Sequence, residues 1–357
     1  MKDLIEALTQ RGGSDLHIAA GSPPKLRIHG KLQNTEYEPL QPEETKAMIY
    51  SILTSEQIAK FEKHLELDFS FGLQNLGRFR TNVFVQRGAI GGVLRTIPYK
   101  VKGFDDLGLP RKVCENLCNM PKGLILVTGA TGSGKSTTLA AMIDHINLNR
   151  PCHIVTIEDP IEFLHSNKNA LVNQREVGAD THAFKYALRT VLRQDPDVVM
   201  IGEMRDLETI EAALTLSETG HLTFATLHTS DAVQTINRIV DVFPDYQQQQ
   251  IRTMLSFTLQ GVFCQQLVPA ANAKRRVLAV EVLLANPAVR ALIRDDKAHQ
   301  LYSIIQTNQK YGMVTMNQSL ANLYNTNQIA YEDAMFSSIE TEELERMLTH
   351  RQHARAH

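Results

Sequence analysis

The sequence predicts an α/β fold in which a parallel sheet, covered by helices on both faces, spans residues 111–285. Two observations predict it. Short apolar runs alternate with helical stretches after residue 110. A glycine-rich run sits between one such strand and the helix that follows it. Residues 1–98 read differently, as a smaller α+β domain, and a linker rich in Pro, Gly and Lys over 99–110 separates the two patterns. From 286 to 357 the chain reads as a polar helical segment.

In the first domain a short helix over Leu4–Thr9 ends at Gly12-Gly13. Alternating strands follow at Asp15–Ile18 and Lys25–Ile28, separated by the turn Gly21-Ser22-Pro23-Pro24. Pro42-Glu43-Glu44 opens a helix with acids in its first turn, where the helix dipole favours them. The spacing of Met48, Ile52, Ile58 and Phe61 predicts that it continues to about Phe61. Aromatic and β-branched residues predict strands at Leu67–Phe71, Arg78–Val85 and Ala89–Ile97, with Gly88 and Gly91-Gly92 marking bends. The linker follows, with Pro98 and Lys100 at its start.

In the second domain the predicted strands are Gly123–Thr128, His153–Ile157, Val198–Ile201, Leu222–Leu227 and Arg276–Leu284. Short, almost wholly apolar strands between helices argue a parallel sheet buried on both faces. In such sheets ligands bind beyond the carboxyl ends of the strands. The chain's end, His350 to His357, reads as a frayed, solvated terminus and not as a metal site.

Composition narrows the function. Hydrophobic residues make up 43% and charged residues 21%, which excludes a disordered chain. The 37 basic residues are balanced by 39 acidic ones, so nucleic acid is not the expected partner. Cys114 and Cys118 fall on one helix face, but Cys152 and Cys264 form no second close pair, so four reduced thiols are expected and no structural zinc. No apolar run approaches the roughly 20 residues of a membrane span, and the first residues lack a signal-peptide core. The expectation is a cytoplasmic protein that meets a membrane machine only through a partner.

Gly129-Ala130-Thr131-Gly132-Ser133-Gly134-Lys135-Ser136 fits G-x-x-x-x-G-K-[ST], after the strand Leu124–Thr128 and before a helix starting near Thr137. Glycines let successive N–H groups point at phosphate oxygens, and the helix N-terminus adds partial positive charge there. Thr131, Gly132, Ser133, Gly134, Lys135, Ser136 and Thr137 are therefore the expected ATP-binding set. Lys135 reaches the β- and γ-phosphates and Ser136 ligates Mg²⁺.

The strand His153–Ile157 delivers Glu158-Asp159-Pro160-Ile161-Glu162, and Val198–Ile201 delivers Gly202-Glu203. Where P-loop enzymes place a magnesium-binding Asp, this chain has Gly202. Glu203, supported by Glu158, is left to polarise the attacking water or to hold the metal through water; the sequence leaves the division of roles open. His228, after the strand Leu222–Leu227, is placed to sense the γ-phosphate, whereas His221 at the start of that strand reads as structural. Arg78, Arg80 and Arg95 are candidate cations for the charge that develops in phosphoryl transfer. Arg78 and Arg80, two apart, face the same side of the sheet.

With these motifs in place, the chain resembles the secretion ATPases and, within them, the type IV pilus retraction ATPases (PilT family). The likeness runs from Gly13-Ser14-Asp15-Leu16-His17 into the 330s. It includes Gly77-Arg78-Phe79-Arg80, Leu94-Arg95-Thr96-Ile97-Pro98, an "Asp box" from Thr156 to Phe163, and Gly202-Glu203-Met204-Arg205-Asp206. A "His box" from Gly220 to Asp231 and Gln265-Gln266-Leu267-Val268-Pro269 complete it. The missing Walker Asp is itself a feature of that family.

The resemblance implies a homohexameric ring of RecA-like P-loop ATPase domains with PAS-like N-terminal domains, driving pilus retraction and twitching motility. It implies that Arg80 and Arg95 complete the nucleotide site. Implied partners are an inner-membrane pilus platform protein, which would hold the ring at the cytoplasmic face, and a paralogous retraction ATPase. Ala288-Val289-Arg290-Ala291-Leu292-Ile293-Arg294-Asp295 is similar to the retraction signature Ala-Ile-Arg-Asn-Leu-Ile-Arg-Glu and departs from it at Val289, Ala291 and Asp295. Alternative readings are an accessory paralogue, or a pilus assembly or type II secretion ATPase, although the longer N-terminal region and four-cysteine insert of the latter do not occur here. From other classes come a nucleotide-regulated scaffold and a DNA-translocating ring.

Overall fold

In the computed structural model, residues 1–28, 30–73, 76–97, 101–272 and 275–355 are described, with side chains up to residue 349. Pro98, Lys100 and the side chains of the terminal histidines lie outside the described residues. The chain divides into two compact units. One comprises Met1–Lys100 with the short segments Pro160–Leu164 and Gly178–Asp180, and the other comprises the remainder.

The first unit runs α1 (Lys2–Gln10), β1 (Asp15–Ile18), β2 (Lys25–Ile28), β3 (Lys31–Asn34), α2 (Pro42–Tyr50), α3 (Ser55–His64), β4 (Glu66–Leu73), β5 (Gly77–Gln86) and β6 (Ala89–Ile97). Its strands form one antiparallel sheet in the order β3-β2-β1-β6-β5-β4. Leu4, Ile5, Leu8, Leu16, Ile49, Phe61, Phe79 and Val83 fill its core.

Two expectations are corrected here, and one strand is added. The helix expected from Pro42 to Phe61 is broken, because Thr54 caps a new helix by accepting from Gln57 N while the Gln57 side chain accepts from Thr54 N. Strand β3 escapes sequence reading because all four of its residues are exposed and polar spacing hides it. Gly91 and Gly92 mark no bend but lie within β6. A Cβ on Gly92 would come 2.7 Å from Ile49 Cδ1, so the glycine lets α2 pack close to the sheet.

The second unit runs α4 (Phe104–Leu107), α5 (Arg111–Cys118), β7 (Gly123–Thr128), α6 (Lys135–Asn149), β8 (His153–Glu158), β9 (Leu171–Glu176), α7 (Phe184–Val191), β10 (Val198–Ile201), α8 (Leu207–Glu218) and β11 (Leu222–Leu227). It continues with α9 (Ala232–Asp241), α10 (Asp245–Thr258), β12 (Leu259–Pro269), β13 (Arg276–Leu284), α11 (Pro287–Arg294), α12 (Leu301–Thr307), α13 (Met316–Asn325), α14 (Tyr331–Ser337) and α15 (Thr341–Arg355). Within the stretch read as linker, Phe104 and Leu109 are buried in this unit's core.

Seven strands line up as β13-β12-β7-β11-β10-β8-β9. All neighbours are parallel except β13, which runs antiparallel to β12 at the edge. The two faces follow from the period of two along each strand. Leu124, Leu126, Val155, Ile157, Val199 and Ile201 pack against α7–α10 on one face. Ile125, Val127, Ile154, Val198, Met200 and Phe224 pack with α5 and α6 on the other. Strand β9 was not read from sequence, since Asn173, Gln174 and Arg175 give it no apolar run. Strand β12 was not read from sequence, because its apolar centre continues directly from α10.

Candidate active site

The phosphate cradle lies between the end of β7 and the start of α6. Gly132 and Gly134 take left-handed conformations, φ 79° and 95°, which the turn requires and side-chain-bearing residues rarely adopt. Gly134 caps α6, so the first N–H groups of that helix, from Lys135 onward, have no partner within it. Thr131, Gly132 and Ser136 are exposed beside them, and Thr137 is half-buried. Ser133 Oγ is buried without a hydrogen-bond partner among the described residues. Free amides, an orphan hydroxyl and a cation are the donor set that a polyphosphate needs.

Lys135 Nζ donates to the carbonyl oxygens of Gly129 at 2.8 Å and Ala130 at 3.1 Å. Burial pushes its pKa below the usual ammonium value, and the charge of Glu203 acts against that shift. Lys135 therefore feels the carboxylate delivered by β10.

Glu203 is the hub of this strand edge. Arg205 Nη2 donates to its Oε2 at 2.7 Å, and His228 Nε2, from the end of β11, lies 3.1 Å from its Oε1. The Arg205 hydrogen bond, opposed by burial and assisted by the charges of Arg205 and His228, holds the Glu203 carboxyl below its usual range. It is ionised at neutral pH and can accept a proton only weakly, so orienting a water suits it better than abstracting a proton outright.

Glu158 ends β8 and is buried. Its Oε1 accepts from Thr156 Oγ1 at 2.7 Å and from Gln174 Nε2 at 3.1 Å. Register explains the neighbouring glycine: Gly202 N donates to Ile157 O at 2.8 Å, and a Cβ at Gly202 would stand 3.3 Å from Glu158 Cα. The strands approach too closely at this point for an Asp to enter without displacement. Lys135, Glu203, Glu158 and His228 thus share one edge of the sheet, while His221 at the opposite end of β11 is tied to Leu216 O and Thr219 Oγ1, as expected of a structural residue.

In the first unit, Arg80 on β5 is the direct cross-strand partner of Arg95 on β6. Arg95 Nε donates to Asp15 Oδ1 at 2.8 Å, Arg78 Nη2 donates to Ser70 Oγ at 2.6 Å, and Arg80 Nη1 lies 3.8 Å from Glu162 Oε1. Burial pushes the Asp15 carboxyl up, but hydrogen bonds from Arg95 and Ser14 outweigh it and hold the pKa below the usual value.

Several residues that build the site carried no assigned role in the sequence. Arg205 belongs to the quoted Gly202–Asp206 motif, and its charge was the available signal. Thr156 and Gln174, which hold Glu158, gave none. Gln265 Nε2 donates to Thr138 Oγ1 at 2.7 Å, tying β12 to the first turn of α6. The four cysteines are free, with burial pushing the Cys114 thiol up to about 12, and no metal-holding cluster occurs among the described residues. No helix of the described residues is long and apolar enough to cross a membrane.

Residues 1–354 match the family model of the type II/IV secretion system proteins. The chain is 48% identical over 332 residues to the type IV pilus retraction ATPase PilT of Pseudomonas aeruginosa, covering 93% of this chain and 96% of that one. It is 40% identical over 345 residues to the type IV pilus ATPase PilU of the same organism, covering 97% and 90%. A crystal structure of the pilus retraction motor PilT with bound ADP superimposes with a TM-score of 0.90 at 51% identity, covering 96% of this chain and 98% of that one. The edge chemistry assembled around Lys135 and Glu203 and this full-length likeness agree: the chain belongs to the type II/IV secretion system protein family and, within it, to the type IV pilus retraction ATPases.

Proposed function

We propose that this protein is an ATP-hydrolysing motor that powers type IV pilus retraction, and so twitching motility, by converting hydrolysis into rotation of its domains. The observation that carries the reading is the Lys135–Glu203–His228 grouping at one sheet edge, with Glu203 held ionised by Arg205. Greater identity to PilT than to PilU supports the main motor over the accessory paralogue. The acting form is a homohexameric ring on the cytoplasmic face of the inner membrane, held there by the pilus platform protein and able to pair with a paralogous motor. Residues 1–98 form its PAS-like domain, 99–110 the linker, 111–285 the RecA-like ATPase domain and 286–357 the helical segment.

ATP is bound by the amides of residues 131–137 and by Lys135, whose ammonium leaves its carbonyl partners for the β- and γ-phosphates. Ser136, through its hydroxyl, and Glu203 would hold Mg²⁺, which would supply neutralisation of phosphate charge. Glu203 orients the attacking water, and Glu158, fixed by Thr156 and Gln174, shapes the acid wall behind it. Arg80 and Arg95 offset charge on the equatorial oxygens in the transition state. His228 leaves or joins Glu203 according to whether the γ-phosphate is present.

The test is phosphate release by the assembled full-length protein, with pilus shortening followed in cells that lack any paralogous motor. Lys135→Ala should remove turnover, and cells carrying only that copy should stop retracting. Normal retraction in those cells would refute the reading.

A further inference from the structure

Asp15 opens β1 with its side chain only 5% exposed, in a stretch of sheet crowded with cations. In register, one row across the strands reads Arg27 on β2, Asp15 on β1, Arg95 on β6 and Arg80 on β5. Residues opposite one another in a sheet share a face, and like charges so placed repel. One carboxylate therefore stands among three guanidinium groups, two of which, Arg80 and Arg95, directly oppose each other. Arg95 Nε donates to Asp15 Oδ1 at 2.8 Å, and Arg27 Nε lies 3.5 Å from Oδ2. Ser14 Oγ donates to Oδ2 at 2.8 Å. Both oxygens are engaged, and β1 is paired on both sides, by β2 and by β6. The carboxylate cannot turn without giving up a partner.

The edge at which Asp15 holds Arg95 matters. A guanidinium carries its donors in a rigid fork, and its terminal amino groups match the oxygens of a phosphate. A carboxylate placed against those groups would compete with phosphate for them. Asp15 takes the Nε edge instead, and the Nη groups of Arg95 make no hydrogen bond among the described residues. The Arg95 side chain is 67% exposed, so without that contact it would sample many rotamers. Burial pushes the Asp15 carboxyl up, but the hydrogen bonds from Arg95 and Ser14 keep it charged at neutral pH.

We propose that Asp15 is a positioning residue for Arg95. The buried carboxylate fixes the guanidinium by its Nε edge, so that the terminal amino groups stand ready for the phosphate oxygens of the transition state. The inference rests on the reading of Arg95 as a cation of the nucleotide site. Asp15 acts through Arg95 alone, and the rate gained is that of holding a group in its reacting geometry.

A double-mutant cycle on the full-length assembled protein tests it. The constants kcat and KM for ATP are measured for Asp15→Asn, Arg95→Ala and the two together, with thermal unfolding to check each fold. Asp15→Asn keeps the shape of the side chain and removes the charge that draws Nε. It should lower kcat roughly tenfold with KM within about twofold, the split expected of a group that serves the transition state. Arg95→Ala should lower kcat about a hundredfold or more. Adding Asp15→Asn to Arg95→Ala should change kcat by less than about twofold, because the group it positions is gone. A carboxylate that served only the fold of the first unit would lower kcat by the same factor in both backgrounds, and that result overturns the proposal. So does wild-type kcat in Asp15→Asn beside a crippled Arg95→Ala. Wild-type kcat in Arg95→Ala would instead overturn the Arg95 reading, and the positioning role with it. Should Asp15→Asn not fold, Ser14→Ala takes its place in the cycle, since it removes the donor on Oδ2 from an exposed position. Its expected fall in kcat is about threefold, and the same outcomes decide.

Discussion

At the scale of single residues, the site turns on who holds Glu203. Arg205 is the strongest influence on its carboxyl, ahead of burial and of His228. Removing it by Arg205→Ala should raise the Glu203 pKa, so more of the acid is protonated at any given pH. The acid limb of the kcat–pH profile should then move to higher pH, with affinity for a fluorescent ADP analogue little changed; an unmoved limb would take Glu203 out of the rate-determining protonation. Gly202 yields a second residue-scale expectation. Restoring the usual acid by Gly202→Asp forces a Cβ into the 3.3 Å approach to Glu158 Cα and Ile157 O. Turnover should fall by about tenfold or more, since small displacements of positioned groups are costly in rate. Phosphate release measures it, and a gain in rate would show that the strands part easily there.

At the scale of elements, two of the arginines read from motifs prove to be joints as well. Arg290 on α11 donates to Ser256 O at 2.5 Å, Phe257 O at 3.0 Å and Gln260 Oε1 at 3.2 Å, satisfying the last carbonyls of α10. Arg290→Ala should therefore cost on the order of 1–3 kcal/mol in a urea titration, the penalty of leaving such groups unpaired. Arg95 neutralises the buried Asp15, so Arg95→Ala should destabilise the first unit while Arg80→Ala stays within about 0.5 kcal/mol of wild type. Loss of turnover in Arg80→Ala without loss of stability would be the cleaner sign of a transition-state role. These joints also show what the sequence could and could not reveal. The strands Gly123–Thr128, Val198–Ile201 and Leu222–Leu227 were legible to the residue, because a strand buried on both faces leaves an unbroken apolar run. The cradle was legible because its glycines and Lys135 are fixed at one local spacing. Strands β3 and β9, the break at Thr54, and the hands that hold Glu158 and Glu203 were not. Their partners lie on other elements or leave no periodic trace, and only the folded register brings Gln174 beside Glu158.

At the scale of the whole molecule, the two units should answer acid in opposite ways, because each carries a carboxylate shifted in the opposite direction and the first unit adds a buried His17 held below its usual range. Asp15 in the first unit is held below its usual pKa, so its contribution is present above roughly pH 4 and is lost as pH falls through the depressed value. Glu281 in the second unit is raised from 4.5 to about 7. Its protonated form suits burial, so its contribution is complete below 4.5 and is lost as pH rises through 7. Between pH 7.5 and 5 the second unit should therefore gain stability from Glu281 while Asp15 contributes nothing to the slope. His165 opposes the gain, since burial holds its imidazole below the usual range and protonation on acidification acts against the fold. Comparing wild type with Glu281→Gln cancels His165 and leaves the carboxylate alone. Unfolding followed by hydrogen exchange within each unit should show the wild-type second unit becoming more stable, relative to the variant, as pH falls from 7.5 to 5. The first unit should lose some stability over that range, because burial holds the His17 imidazole below its usual value, and should weaken further below about pH 4 as Asp15 is protonated. A difference curve that is flat for the second unit would mean that Glu281 is ionised in the folded chain throughout, stabilised by the N-terminus of α9 far more than burial penalises it.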